Sequence, residues 1–292
     1  MARFGPAGNP KSFYDSGAQH SFEMPAYLRC LGLDAYEYQC GRGVSIQEDT
    51  ARRIGAEAKA HDIAMSVHAP YFINLASEEP EKARNSIGYI LESLEAAVWL
   101  DAGRVILHPG SAKDAVGRER ALDRAKGVLK DAIREADSKG YLDRIALCPE
   151  VMGKNNQLGS LDEVIALCGI DERLLPCVDF GHLNARLQGG MAAVEDFRSA
   201  CLRIEDGIGR DRLSRMHVHF SRIEYTAGGE KQHWTMADRR FGPDFEPFAE
   251  VCAELDLSPV VICESHDTQA LDAVDMRNAW LSAVEARAGR RP

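Results

Sequence analysis

Apolar and polar positions alternate along this chain on two different periods. Short β-branched or aromatic runs, apolar at every second or at every residue, read as strands. They cover Ala2–Phe4, Ala35–Cys40, Ala64–His68, Arg104–His108, Arg144–Glu150, Leu175–Phe180, Arg215–Phe220 and Pro259–Glu264. Between them lie longer Ala/Glu/Arg-rich stretches that read as amphipathic helices. These are Pro25–Leu31, Ile46–Ala60, Glu79–Leu100, Ala115–Ser138, Leu161–Leu167, Ala192–Asp206, Asp244–Leu255 and Thr268–Arg287. Ser45 and Ser160 each precede a first turn carrying acids and are predicted N-caps. Strict strand–helix alternation predicts a parallel sheet with crossover helices. Eight units in 292 residues predict an α/β fold, a single-domain (β/α)8 TIM barrel. A doubly wound open sheet is the competing reading. The turn after the first strand, GPAGNP, lacks the glycine spacing that a dinucleotide-binding turn needs.

The strand ends carry the candidate chemistry. From the third strand on, each apolar run finishes on His, Asp or Glu: His68, His108, Glu150, Asp179 with His182 three residues later, His217 with His219, and Glu264. A lone strand-end histidine is usually a hydrogen-bonded rim residue, and Asp179 has an alternative use as a cap for the helix that follows. Six successive strand ends of this kind favour ligation instead. In a barrel those ends converge on one face, which carries the active site. Imidazoles and carboxylates without cysteine suit Zn2+ or a similar divalent ion. More than four such groups predict more than one ion.

At these residues the sequence resembles the endonuclease IV family of apurinic/apyrimidinic endonucleases. The resembling segments are HAPYFINLAS from 68, LHPG from 107, PE at 149–150 with GKNNQLGS soon after, VDFGHLNA from 178, HVHFS from 217 and ICES from 262. The resemblance implies a TIM barrel with three zinc ions at its mouth, Mn2+ being a possible substitute. It implies His68 and His108 at one ion, with Glu150 bridging to a second and acting as the catalytic group. Asp179, His217 and Glu264 would complete the second site. His182 would hold the third with an acid–His pair after strand seven. Here that stretch is GGEKQHW, so the pair is Glu230 and His233, one residue further apart than in the family. Aligning HVHFS in frame makes His217 the ligand and puts His219 at the family's Asn, as an outer partner or a competing ligand.

The same resemblance implies hydrolysis of the DNA backbone at abasic sites, with Tyr71, Phe72, Asn74, Gln39 and Arg42 as substrate contacts. The strand-two loop is otherwise poor in basic residues. A sugar isomerase or epimerase of the xylose-isomerase-like group, using one divalent metal at Glu150, Asp179, His217 and Glu264, is the alternative.

Charge and composition sharpen the picture. The net charge of −10 counts against a nucleic-acid partner. Three bound divalent ions would add about +6 at the barrel mouth, which narrows that objection. No run of about 18 apolar residues exists, so no membrane span is expected. The N-terminus lacks an apolar signal region, and Cys148, Cys177 and Cys263 sit in apolar runs. Both features fit a reducing cytoplasm.

Overall fold

A computed structural model describes residues 1–112 and 117–289. All eight predicted strands form. The first seven are β1 (Arg3–Pro6), β2 (Ala35–Gln39), β3 (Ala64–His68), β4 (Arg104–Leu107), β5 (Ala146–Pro149), β6 (Cys177–Asp179) and β7 (His217–Phe220). An antiparallel hairpin, β8 (Arg222–Thr226) and β9 (Gly229–Trp234), comes before the last barrel strand, β10 (Val260–Cys263). The ladders give two parallel four-stranded sheets, β1-β10-β7-β6 and β2-β3-β4-β5. Parallel bridges Ala7–Glu37 and Glu150–Cys177 join them at both seams, so the eight strands close into a barrel.

The predicted helices also form, with ends moved by a few residues. They are α2 (Met24–Cys30), α3 (Glu48–Ala60), α4 (Pro80–Trp99), α5 (Arg118–Asp137), α6 (Leu161–Cys168), α8 (Val194–Ile208), α10 (Glu246–Glu254) and α11 (Gln269–Ala288). Three short helices were not anticipated: α1 (Lys11–Asp15), α7 (Phe180–Arg186) and α9 (Arg210–Ser214). Ala115 and Val116, placed at the start of the fourth predicted helix, lie outside the described residues. Ser160 caps as expected: its hydroxyl accepts from the Glu163 amide, and Glu163 reaches back to the Ser160 amide. Ser45 does not. α3 starts two residues later than predicted, with Gln47 at the N-cap.

The largest apolar cluster runs from the outward strand faces to the helices, as with Leu94, Val105, Leu129, Val178 and Phe220. The barrel interior is filled differently. Two small apolar groups, Ile106–Cys148–Leu175–Cys177 and Ala35–Val260–Ile262, enclose buried Glu37, Ser66, His217 and His219. The strand period of two places these residues on the inner face.

Closure depends on Gly5. A methyl group there would sit 1.7 Å from the Ala35 carbonyl oxygen, so β1 and β2 approach too closely for any side chain. Gly5→Ala is expected to lose about 1–3 kcal/mol or more of stability by forcing that seam apart. A chemical-denaturation midpoint equal to that of the parent protein would contradict this.

Candidate metal centre

Alternation puts a layer of residues at the C-terminal rim, each the last inward position of its strand. The layer comprises Gln39, His68, His108, Glu150, Asp179, His219 and Glu264. Register sets their heights: Asp179 pairs with His219, and Cys177 pairs with His217. His217 therefore lies one layer deeper than expected. Its Nε2 is 3.0 Å from Glu37 Oε2, and it is fully buried. The structure brings His219, not His217, to the mouth carboxylates.

Glu150 is the hub. Its Oε2 lies 3.1 Å from His108 Nε2 and 3.4 Å from His68 Nε2. Its Oε1 lies 3.1 Å from His219 Nδ1 and 3.5 Å from His182 Nδ1. Each carboxylate oxygen thus faces its own pair of imidazoles. Glu264 Oε1 approaches His219 Nδ1 at 3.6 Å. Asp179 has two tasks. Its Oδ1 caps α7 by accepting from the His182 amide at 2.7 Å. Its buried Oδ2 has no hydrogen-bond partner.

A third group stands on the hairpin. His182 donates to the Val151 carbonyl through Nδ1, 3.0 Å, which turns Nε2 toward Glu230 Oε2 at 3.4 Å. His233 Nε2 lies 3.9 Å from Glu230 Oε1, and its Nδ1 is held by Ser221 Oγ at 2.8 Å. The extra residue between Glu230 and His233 is absorbed by a bulge. Tyr225 pairs with Glu230 and Glu224 with Gln232, which leaves Lys231 opposite no partner. Glu230 and His233 then share one face despite their odd spacing. Gly153 admits the hairpin: a Cβ there would meet the Glu230 Cβ at 2.6 Å and His182 Cδ2 at 2.9 Å.

The electrostatics follow from burying these charges together. Burial opposes ionisation of Glu150, but the His219 charge and the His108 hydrogen bond hold its carboxyl well below the usual range. Burial likewise opposes the charged form of His68, yet Glu150 outweighs it and pushes the imidazole up to about 9. His182 is raised well above the ordinary value, again against burial, by Asp179, Glu150 and Glu230, and His219 is raised likewise, by Cys177 first and then by Glu264, Glu37 and Glu150. Burial wins at Asp179, pushed up to about 6, and at His217, pulled down to about 4.

The donor set fits divalent ions. Tetrahedral bonds of about 2.0–2.2 Å place ligand atoms about 3.3–3.6 Å apart. Most of the contacts around Glu150 and His182 fall in or near that range. Ring nitrogens turned away from the mouth are held, His68 Nδ1 by the Ala69 carbonyl at 2.8 Å, as ligating histidines usually are. The deeper trio of Cys177, His217 and His219 also converges. There, burial keeps the thiol protonated, and Glu37 already faces both rings.

The mouth opens into a cavity of about 390 Å3 lined in part by Gln39, Tyr71, Lys154, Gln157 and the candidate ligands other than Asp179 and His219. Of the expected substrate contacts, Tyr71 is on its wall and exposed. Phe72 is exposed but packs edge-on to Tyr71 and Tyr89 outside the wall. Gln39 spends its amide on Glu37, at 3.0 Å. Asn74 is not on the wall: its Oδ1 accepts from the Ser111 amide at 3.0 Å and braces the loop after β4. Arg42 is exposed on the loop after β2 and is not part of the cavity wall.

Residues 25–285 match the model of the xylose isomerase-like TIM barrel family. The chain belongs to that family. As a xylose isomerase-like barrel it is 33% identical, over 91% of its length and 92% of the relative's, to an uncharacterised protein of Methanocaldococcus jannaschii. It is 29% identical over 169 residues to a probable endonuclease 4 of Acholeplasma laidlawii, covering 56% of this chain and 55% of that protein. The matched stretch therefore spans about half the length of that relative. Among solved structures, endonuclease IV from Thermus thermophilus superposes with a TM-score of 0.71 at 20% identity, covering 96% of this chain and 99% of that one. A D-tagatose 3-epimerase-like protein superposes with a TM-score of 0.69 at 19% identity, covering 88% and 91%. Both structural likenesses are likenesses of fold. Among the described residues, no helix is long and apolar enough to cross a membrane.

Glu37 was missed from the sequence. It is a fully buried acid that touches His217 and His219 and accepts from Ser66 Oγ at 2.9 Å. An acid between two tyrosines at an inward position of an apolar strand was the available signal. Its contact with His219 Nε2, at 3.1 Å, holds that ring with Nδ1 toward the mouth. Glu37→Gln is expected to weaken metal binding at the His219 site by about 10–100-fold, as removal of such outer partners does. Competition with a zinc-sensitive dye measures this, and unchanged affinity would contradict it.

Proposed function

We propose that the protein is a metal-dependent phosphodiesterase, an endonuclease IV-like hydrolase that cuts the DNA backbone at abasic sites. In this reading it acts as one barrel domain in the cytoplasm. The observation that carries it is the Glu150 carboxylate set between two imidazole pairs, with a separate acid–histidine cluster beside it. A single-metal site does not need so many donors. One ion would be held by His68, His108 and Glu150 Oε2. A second would be held by Glu150 Oε1, Asp179, His219 and Glu264, and a third by His182, Glu230 and His233. Bound zinc or manganese would supply an activated water and neutralise phosphate charge.

The chain's own residues do the rest. Glu150, anchored by four imidazoles, fixes the spacing of the first two sites and is placed to take a proton from a water between them. Lys154 lies on the cavity wall and has no ion-pair partner among the described residues, so its ammonium is available to a phosphate. Tyr71 and Phe72 stand exposed at the rim as an aromatic pair, ring centroids 5.3 Å apart, suited to prop open a distorted duplex.

The sugar-epimerase reading rests on one observation: Glu150, Asp179, His219 and Glu264 converge as a sufficient one-metal set on their own. Two measurements on the same sample separate the readings. The phosphodiesterase reading expects two to three zinc or manganese ions per chain, as an order-of-magnitude count, and nicking of a duplex with one abasic site. One ion per chain without nicking would overturn it in favour of the epimerase.

A further inference from the structure

The opposite end of the barrel holds a second feature that the metal centre does not use. A cavity of about 740 Å3 opens at the N-terminal ends of β4 to β7, and six arginines line it: Arg104, Arg144, Arg173, Arg210, Arg212 and Arg215. Three carboxylates, Asp143, Glu172 and Asp211, line it as well. On the wall itself arginines outnumber carboxylates six to three, and Asp137, Asp171 and Glu205 pair with two of these arginines from just outside it.

Half of these arginines are neutralised locally. Arg173 pairs with Asp137 and Asp171, Arg215 with Asp211, and Arg210 with Glu205. The other three are not. Arg212 is fixed by the Ile208, Cys168 and Asp171 carbonyls, at 2.7, 2.8 and 3.3 Å, and meets no carboxylate. Arg144 is exposed, with no ion pair or hydrogen bond from its side chain among the described residues. Arg104, the first residue of β4, points into the barrel floor. Its Nη1 meets only the Met216 carbonyl at 3.3 Å and His217 Nδ1 at 3.4 Å. Burial lowers this guanidinium below its ordinary value, and the Arg215 charge pushes the same way.

Arg104, Arg144 and Arg212 have no ion-pair partner among the described residues and line one concave wall, although Asp143 and Glu172 line it too. Their side chains match a phosphoryl group, which guanidinium forks bind bidentately. We propose that this floor cavity binds a phosphate-bearing small molecule, held by Arg104 and Arg144 with Arg212 adding to the field. The site is independent of the reading of the mouth.

Calorimetric titration of the full chain with inorganic pyrophosphate reads both ends of the barrel, and two variants separate them. Arg144→Glu lies on an exposed loop and leaves the fold and the metal content alone. It is expected to weaken the floor site by about tenfold to a hundredfold. His108→Asn disturbs the mouth and is expected to leave the floor site intact. Binding lost in His108→Asn and unchanged in Arg144→Glu would put all the phosphate at the mouth and overturn the proposal. Binding that does not saturate would mean an adventitious ion only and would overturn it too.

Discussion

Glu150→Gln is expected to empty the first two metal sites and to lower turnover by about 10²–10⁴-fold, the range for loss of a catalytic proton acceptor. The side chain keeps its shape but loses its charge, and one of its ends becomes an NH2 donor. In the native chain each oxygen faces two imidazoles at 3.1–3.5 Å, so whichever end carries the amide nitrogen turns a donor toward a metal position. The imidazoles lose their anion as well. His68, held up to about 9 mainly by Glu150 against burial, falls back toward its ordinary value. The hairpin cluster of His182, Glu230 and His233 shares no ligand with this step and keeps its ion. Metal analysis of the variant should therefore find about one ion per chain where the parent holds two or three. A full complement with parental nicking would remove Glu150 from the centre of the mechanism.

The second large effect separates two neighbouring histidines. His219→Asn is expected to remove one ion and to cost about 100-fold or more in activity, at or beyond the upper end for loss of an outer metal partner. His217→Asn is expected to leave the metal count unchanged and to lower stability by about 1–3 kcal/mol, because it removes a fully buried imidazole that faces Glu37. Metal content and denaturation curves on the two variants decide the matter. If His217→Asn lost the ion and His219→Asn kept it, the in-frame family alignment would be right and the placement by strand register wrong.

The eight strands were legible because their apolar runs are short, β-branched and bounded by clear breaks. The polar residues of the rim stood out because a charged group ending an apolar strand is costly without a partner. Two parts were not. The β8–β9 hairpin has no apolar run, and its strands pair mostly with each other, so the period-two signal was weak. Its bulge at Lys231 is visible only in the pairing, although it is what lets Glu230 and His233 act together. The substrate contacts fared unevenly for a related reason. Tyr71 lines the cavity, while Asn74 turns to the Ser111 amide, and spacing alone does not tell a loop brace from a ligand contact.

The net charge also reads differently once located. The mouth gathers carboxylates that bound cations would offset, and the floor gathers arginines that its own carboxylates do not fully balance. The acidic total describes neither end.

By itself the sequence determined the barrel, its strand order and the inward-facing set of His, Asp and Glu, because alternation along each strand is local. It placed both His217 and His219 on the inner face for the same reason. Their depth was decided only by the tertiary structure. Pairing of Asp179 with His219 and of Cys177 with His217 is a relation between strands, and no periodicity within one strand contains it. That step of two residues, one layer of the barrel, separates the histidine that reaches the mouth carboxylates from the one buried below it.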